Sequence, residues 1–222
     1  LGLGPVSPLR PESVRALVFD LDGTLYVSRP FSREIFASAQ SLVSSRLGLS
    51  PQEAGDLIRR TKKEMAPEFG SEVSLTATCT HLGLTPQELH GHMSATVHPE
   101  NFLEPDPRVR ELLTSLSARY RVALYTNNNL SLSGRILERI GCTGIFDTVV
   151  SIEDFWHPKP YRAALEKLFR DLGVPPEECL FVGDRTDIDL KLPVEMGAQG
   201  WLVRELDDLL ALDTLIRRRS GE

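Results

Sequence analysis

The chain predicts an α/β architecture, a doubly wound parallel sheet interrupted by an all-helical insertion. Three observations predict it. Short apolar runs without alternation recur at 16–19, 122–125, 148–152, 179–182 and 200–203, as strands buried on both faces require. Amphipathic stretches with apolar residues at helical spacing separate the later runs. Between the first run and the second, residues 31–104 read as helix throughout, with no convincing strand.

Composition sets the outer bounds. At 222 residues, 41% hydrophobic and 25% charged, the chain is long enough for one sizeable core plus a smaller helical lobe. A net charge of -6 argues against nucleic acid or an anionic membrane surface as a main partner. No apolar stretch approaches the roughly 20 residues that span a bilayer. Leu1 to Glu12 has neither a basic nor an apolar leader region, so no signal peptide is expected. Cys79, Cys142 and Cys179 are widely spaced without a CxxC pattern, which reads as reduced thiols in a cytoplasmic protein.

Each element has a local reason. Leu1 to Ser13, with its prolines and glycines, reads as an irregular arm. Ala16 to Phe19 is the first strand. In the helical region, Leu-Gly-Leu-Ser-Pro-Gln-Glu at 47–53 and Leu-Gly-Leu-Thr-Pro-Gln-Glu at 82–88 share one grammar. Gly ends one helix, Ser or Thr caps the next, Pro takes its first position and Glu closes a capping box. Residues 172–177 look like a looser third copy. We read these as shared helix punctuation, since the intervening sequences do not match. Pro107 to Tyr120 carries Val109, Leu112, Leu113 and Leu116 on one face, and Val122 to Tyr125 is the second strand. A helix over 131–140 closes at Gly141, and Thr148 to Ile152 forms the third strand. The helix over 160–172 buries Ala164, Leu165, Leu168 and Leu172, and strands at 179–182 and 200–203 complete the sheet.

Chemistry gathers at the ends of these strands, where open α/β sheets bind ligands. Strand one ends in Asp20, Asp22, Gly23 and Thr24, a set no buried strand would choose for packing. Two carboxylates in separate environments can serve as nucleophile (Asp20) and general acid (Asp22), or they can belong to an ordinary Asp-Gly turn. Strand two ends in Thr126-Asn127-Asn128-Asn129, a hydroxyl and amides able to donate to a phosphoryl oxygen. After strand three, Pro158-Lys159-Pro160 fixes a cation at a helix start. Strand four ends in Asp184, Asp187 and Asp189, oxygen ligands of the kind a hard cation such as Mg2+ prefers. Asn runs also make turns and acidic residues also cap helices, so it is the ordered set of four that carries weight.

That order resembles the haloacid dehalogenase-like superfamily of phosphotransferases over residues 14–205. Asp20-Leu21-Asp22-Gly23-Thr24 matches its first motif, Thr126 the second, Lys159 the third and the acidic run 183–189 the fourth. The resemblance implies a Rossmann-like sheet of strand order 3-2-1-4-5, with a core of 1–28 and 105–222 and a helical cap at 29–104 placed to act as a lid. It implies a Mg2+-dependent phosphomonoesterase working through a phosphoaspartyl intermediate on Asp20. Asp22 then serves as general acid and base, while Thr126, Asn127 and Lys159 hold the phosphate. Mg2+ would be held by the Asp20 carboxylate, the Asp22 carbonyl, Asp184 and, in preference to Asp187, Asp189.

Asp-Gly-Thr-Leu-Tyr at 22–26 and the run 102–113 resemble the pyrimidine 5'-nucleotidase branch. Gly183-Asp184-Arg185 is more similar to phosphoglycolate phosphatase relatives. The expected substrate is a small phosphorylated metabolite and the expected assembly a monomer or homodimer. A β-phosphoglucomutase-type phosphotransferase and a non-catalytic scaffold on the same fold are the alternatives. Within 29–104, His81, His90, His92 and His98 lack metal-ligand spacing and are expected at the surface or substrate edge. Phe31, Phe36, Phe69 and Met65 suit either a base-binding pocket or, by default, the cap's own core. Arg59, Arg60, Lys62 and Lys63 read as a solvated face, and Arg217 to Arg219 as a tail.

Overall fold

Leu17 and Phe19 pack to one side of the first strand and Ala16 and Val18 to the other, and the sheet grows outward from that strand. The computed structural model describes residues 9–69, 73–214 and 216. The expectations for Leu1 to Pro8, Phe69 as a pocket residue and Arg217 to Arg219 lie outside what is described. In chain order the core strands are β1 (Ala16–Phe19), β2 (Arg121–Tyr125), β3 (Thr148–Val150), β4 (Cys179–Gly183) and β5 (Gln199–Leu202). They pair in parallel in the order β3-β2-β1-β4-β5. The strand-to-strand chain reversal therefore falls at β1, whose C-terminal end is the sheet's switch point.

The insertion after β1 contains the helices α1 (Arg29–Leu47), α2 (Pro51–Phe69), α3 (Leu75–His81) and α4 (Pro86–Thr96). The repeated punctuation forms as expected. Gly48 adopts the left-handed conformation after α1, and Ser50 and Glu53 exchange capping hydrogen bonds at the start of α2. Thr85 and Glu88 do the same for α4. The third copy differs. Gly173 ends its helix in the left-handed region, but Pro176–Glu178 makes only a 3-10 turn because strand β4 begins at once.

The remaining helices are α5 (Pro107–Ser117), α6 (Leu130–Arg139), α7 (Arg162–Leu172), α8 (Lys191–Glu195) and α9 (Leu206–Leu210). Leu112 and Leu113 of α5 and Leu132 and Ile136 of α6 cover one sheet face, continuous with Phe31, Val43 and Ile58 of the insertion. Leu165 and Leu168 of α7 cover the other. Burying the sheet on both sides is what frees its edge loops for chemistry. β3 is shorter than the sequence pattern suggests, because Ser151 and Asp154 exchange capping bonds and turn Ile152 into a 3-10 turn. Between β4 and α8, Thr186–Leu190 winds into a π turn, a wider winding often found at functional sites. Among the described residues no helix is long and apolar enough to cross a membrane.

Candidate active site

Gly23 allows the first loop to double back under the sheet edge. Its φ of +89° lies in the region that favours glycine, and a Cβ there would stand 2.4 Å from Oδ2 of Asp184. Gly183 is as constrained, since its Cβ would meet the Cβ of Asp189 at 2.5 Å. Both glycines let carboxylates from β1 and β4 share one small space.

Lys159 occupies the centre. Its ammonium donates to Asp20 Oδ1 at 2.6 Å, Asp189 Oδ1 at 2.7 Å and the Tyr125 carbonyl at 2.9 Å, which uses all three of its N–H donors. The side chains of Lys159, Asp20 and Asp189 are 3% exposed or less, so this is a buried ionic triad rather than a surface pair. Asp20 is held at its other oxygen by the Thr24 hydroxyl, 3.2 Å away. Asp22 is held separately. The Tyr26 hydroxyl donates to one of its oxygens and Asn128 Nδ2 donates to the other at 2.6 Å.

Each residue of the second loop has its own task. Thr126, 1% exposed, accepts the Asn128 backbone N–H on Oγ1 at 3.1 Å. Asn127 accepts the Lys159 backbone N–H on Oδ1 at 2.7 Å, locking the lysine loop, while its buried Nδ2 has no partner among the described residues. Asn128 clamps Asp22. Asn129 caps α6 through the Leu132 N–H and donates to the His90 carbonyl at 2.8 Å, tying the core to α4. Arg135 adds a bond to the Ser94 carbonyl at 3.2 Å and an ion pair to Glu100.

The electrostatics follow from burial. Burial pushes Asp20 up to about 6 against the pull of Lys159, and burial with Asp20 beside it pushes Asp184 up to about 7. Burial also raises Asp22, although Tyr26 opposes it. Asp189 is lowered, because Lys159 and then Arg185 outweigh its own burial. Four carboxylates therefore face two cations, and the net charge is short of positive.

A divalent cation fits that shortfall. Asp20, Asp184 and Asp189 each offer an oxygen within 4.8 Å of the others. Asp184 Oδ1 is buried without a hydrogen bond, its nearest cation being Arg185 Nε at 3.6 Å. An all-oxygen donor set with an unused buried oxygen suits Mg2+. Asp187 lies outside this cluster among the described residues and is more exposed than Asp189.

A cavity of about 370 Å³ opens over Asp22, Asn127, Asn128, Asp184 and Arg185, roofed by Ser32, Lys62, Thr76, His90 and Met93 of the insertion. Histidine aside, none of its described lining residues is aromatic. Phe31 is fully buried against Tyr26 and Phe102, and Phe36 lies under Arg59, so neither lines it. Met65 faces a second, apolar chamber beside Trp156, Pro158 and Ile188. His92 bonds Ser41 and His98 pairs with Glu100, as edge histidines do. His90 departs from the surface expectation, being 2% exposed. Of the basic run, Lys62 reaches the cavity mouth while Arg59 pairs with Asp56 in solvent. The sequence names Asn128 among the amides of the second loop and His90 among the surface or substrate-edge histidines, but points to neither Tyr26 nor Thr76 as a site residue, beyond the tyrosine's place four residues after Asp22.

Comparison with known proteins shows the fold and the family. Glyceraldehyde 3-phosphate phosphatase of Methanocaldococcus jannaschii is 26% identical over 188 residues, 83% of this chain and 82% of that one. Phosphoglycolate phosphatase of Yersinia pestis is 29% identical over 189 residues, 80% of this chain and 76% of the relative. The crystal structure of a HAD phosphatase from Thermococcus onnurineus superposes with a TM-score of 0.61 at 19% identity, covering 91% of this chain and 98% of that chain. The model of the haloacid dehalogenase-like hydrolases matches residues 14–197, and the chain belongs to that family.

Proposed function

We propose that the chain is a Mg2+-dependent phosphomonoesterase of small phosphorylated metabolites, with 29–104 as a cap over a catalytic core of 1–28 and 105–222. One observation carries the proposal: a buried, lysine-paired Asp20 lies two residues before a separately clamped Asp22 that lines the cavity. The phosphatase names of the relatives support the substrate class.

In this reading Asp20 attacks phosphorus, forming an acyl–phosphate bond as the ester P–O bond breaks. Asp22, whose raised proton affinity suits an acid, gives its proton to the departing oxygen. It then takes a proton from the water that attacks the phosphoaspartyl group, releasing phosphate and restoring Asp20. Lys159, Thr126 and the unpartnered Nδ2 of Asn127 neutralise and orient the phosphoryl oxygens, which is most of what phosphoryl transfer demands. Asp20, the Asp22 carbonyl, Asp184 and Asp189 would hold Mg2+, which when bound supplies charge neutralisation for the phosphoryl group.

The test is phosphate release with Mg2+ from phosphoglycolate, glyceraldehyde 3-phosphate, sugar phosphates and nucleoside monophosphates, with EDTA and Asp20→Asn controls. Metal-dependent release abolished by Asp20→Asn is expected. Folded protein that releases phosphate from none of them would sink the reading in favour of a phosphotransferase or a scaffold.

A further inference from the structure

His90 is a buried imidazole that the chemistry above does not use. It stands on α4 in the roof of the catalytic cavity, across from Asp22, the group that meets the departing oxygen. Nε2 lies 3.0 Å from the Thr76 hydroxyl, which fixes the ring from the first turn of α3. Nδ1 is buried with no partner among the described residues, on a side chain that belongs to the cavity lining. Burial pushes the ring's proton affinity down to about 4, so the imidazole is neutral near pH 7. A buried polar atom left over calls for a partner that the described chain does not supply.

We propose that His90, held by Thr76, determines specificity by bonding a hydroxyl on the leaving group, and that the substrate class is a hydroxylated carbon skeleton bearing one phosphomonoester. The inference rests on the phosphatase reading and deepens it. A neutral imidazole presents one donor or one acceptor at Nδ1, depending on the direction of the Thr76 bond. A hydroxyl can both donate and accept, so it satisfies either tautomer, whereas a carbonyl or an ammonium satisfies only one. The rest of the roof agrees. Ser32 and Lys62 add a hydroxyl and a cation, and the aromatic platform a nucleobase would use does not line this cavity. Asn129 holds the His90 carbonyl from the core, so the imidazole keeps its height above the reacting atoms.

The experiment compares glycerol 3-phosphate with n-propyl phosphate, which lacks the hydroxyls, and includes p-nitrophenyl phosphate as a reference ester. Wild-type protein with Mg2+ is expected to favour glycerol 3-phosphate in kcat/KM by roughly tenfold to a hundredfold, as sites that hydrogen-bond a substrate hydroxyl do. In His90→Leu the preference should shrink to within threefold of unity, mainly through KM. His90→Asn, which keeps a polar atom near the position of Nδ1, should restore part of it. Thr76→Val, which frees the ring without removing it, should give an intermediate ratio and serves if His90→Leu does not fold. A wild-type ratio near one, or a ratio unchanged in folded His90→Leu and Thr76→Val, overturns this inference alone. Absence of metal-dependent release even from p-nitrophenyl phosphate overturns the phosphatase reading and this inference with it.

Discussion

The strand-end carboxylates Asp20, Asp22 and Asp189 are held in the opposite way to His90 of the helical insertion. Around β1 the carboxylates are pinned by donors from other loops, Asp20 and Asp189 by Lys159 and Asp22 by Asn128, and Asp189 also accepts the Arg185 N–H of its own loop. The insertion's frame is pinned, through Asn129 to the His90 carbonyl and Arg135 to the Ser94 carbonyl, yet His90 Nδ1 is buried without a partner among the described residues. Preorganised charge is what the phosphoryl step needs, whereas an unsatisfied atom is what a ligand can complete. The contrast separates machinery from selectivity, and it can be broken from either side.

The largest effect is expected at Asp20, the proposed nucleophile. Asp20→Asn keeps the shape of the side chain and removes the attacking charge, so turnover of any phosphomonoester should fall by at least about 10⁴-fold. Residual turnover within tenfold of wild type would show that the floor of the cavity is not the reacting centre. Next comes Lys159→Met, which leaves Asp20 and Asp189 buried against each other. Breaking one partner out of a buried ionic set destabilises by about 3–5 kcal/mol. Thermal unfolding should therefore drop by roughly 10 °C in a chain of this size. A drop of only a degree or two would mean that water already reaches the triad.

A subtler break targets the clamp on Asp22. Tyr26→Phe and Asn128→Ala each remove one donor, and each should lower kcat by about tenfold to a hundredfold, the range of a lost positioning or charge-assisted bond. The melting temperature should move little by comparison. Equal losses in kcat and stability would make these residues structural rather than positioning.

These tests also mark how far the sequence could be read. The apolar runs and the acidic, glycine-bearing ends that interrupt them are local patterns, so the strands and Asp20, Asp22, Lys159 and Asp184 were legible one segment at a time. The preference for Asp189 over Asp187 came from counting along the chain, and the π turn that carries Asp189 back over Gly183 agrees with it. The clamp was not legible, because Asn128 meets its carboxylate across 106 residues and an Asn run serves equally well as a turn. The burial of His90, which the sequence places at the surface or substrate edge, is illegible for a related reason. The 90/92 spacing tested for a metal pair, and spacing says nothing about whether one imidazole is roofed over by α3. Phe31 packs in the core between Tyr26 and Phe102, which lie near the two ends of the insertion.

The smallest effect sharpens the comparison from the insertion's side. Burial lowers the folded-state proton affinity of His90 from about 6.5 to about 4, so the unfolded chain binds this proton more readily. Its contribution is therefore neutral above pH 6.5, and stability is lost as pH falls from there towards 4. At pH 5.5 the loss should be about 1 kcal/mol, growing to about 3 kcal/mol near pH 4. Asp22, Asp184, Lys62 and Arg185 line the same cavity and titrate or hold charge on their own account. The informative quantity is therefore the difference between wild type and His90→Leu in chemical denaturation at pH 7.5, 6.5 and 5.5. If the imidazole is a closed, neutral wall of the cavity, the wild type loses stability relative to the variant over this window. If the two curves run parallel, protons reach Nδ1 freely in the folded state, and the roof is open enough that the ring is wet. That outcome would remove the reason for treating Nδ1 as an atom waiting for a substrate hydroxyl, while leaving the pinned carboxylates of the floor untouched.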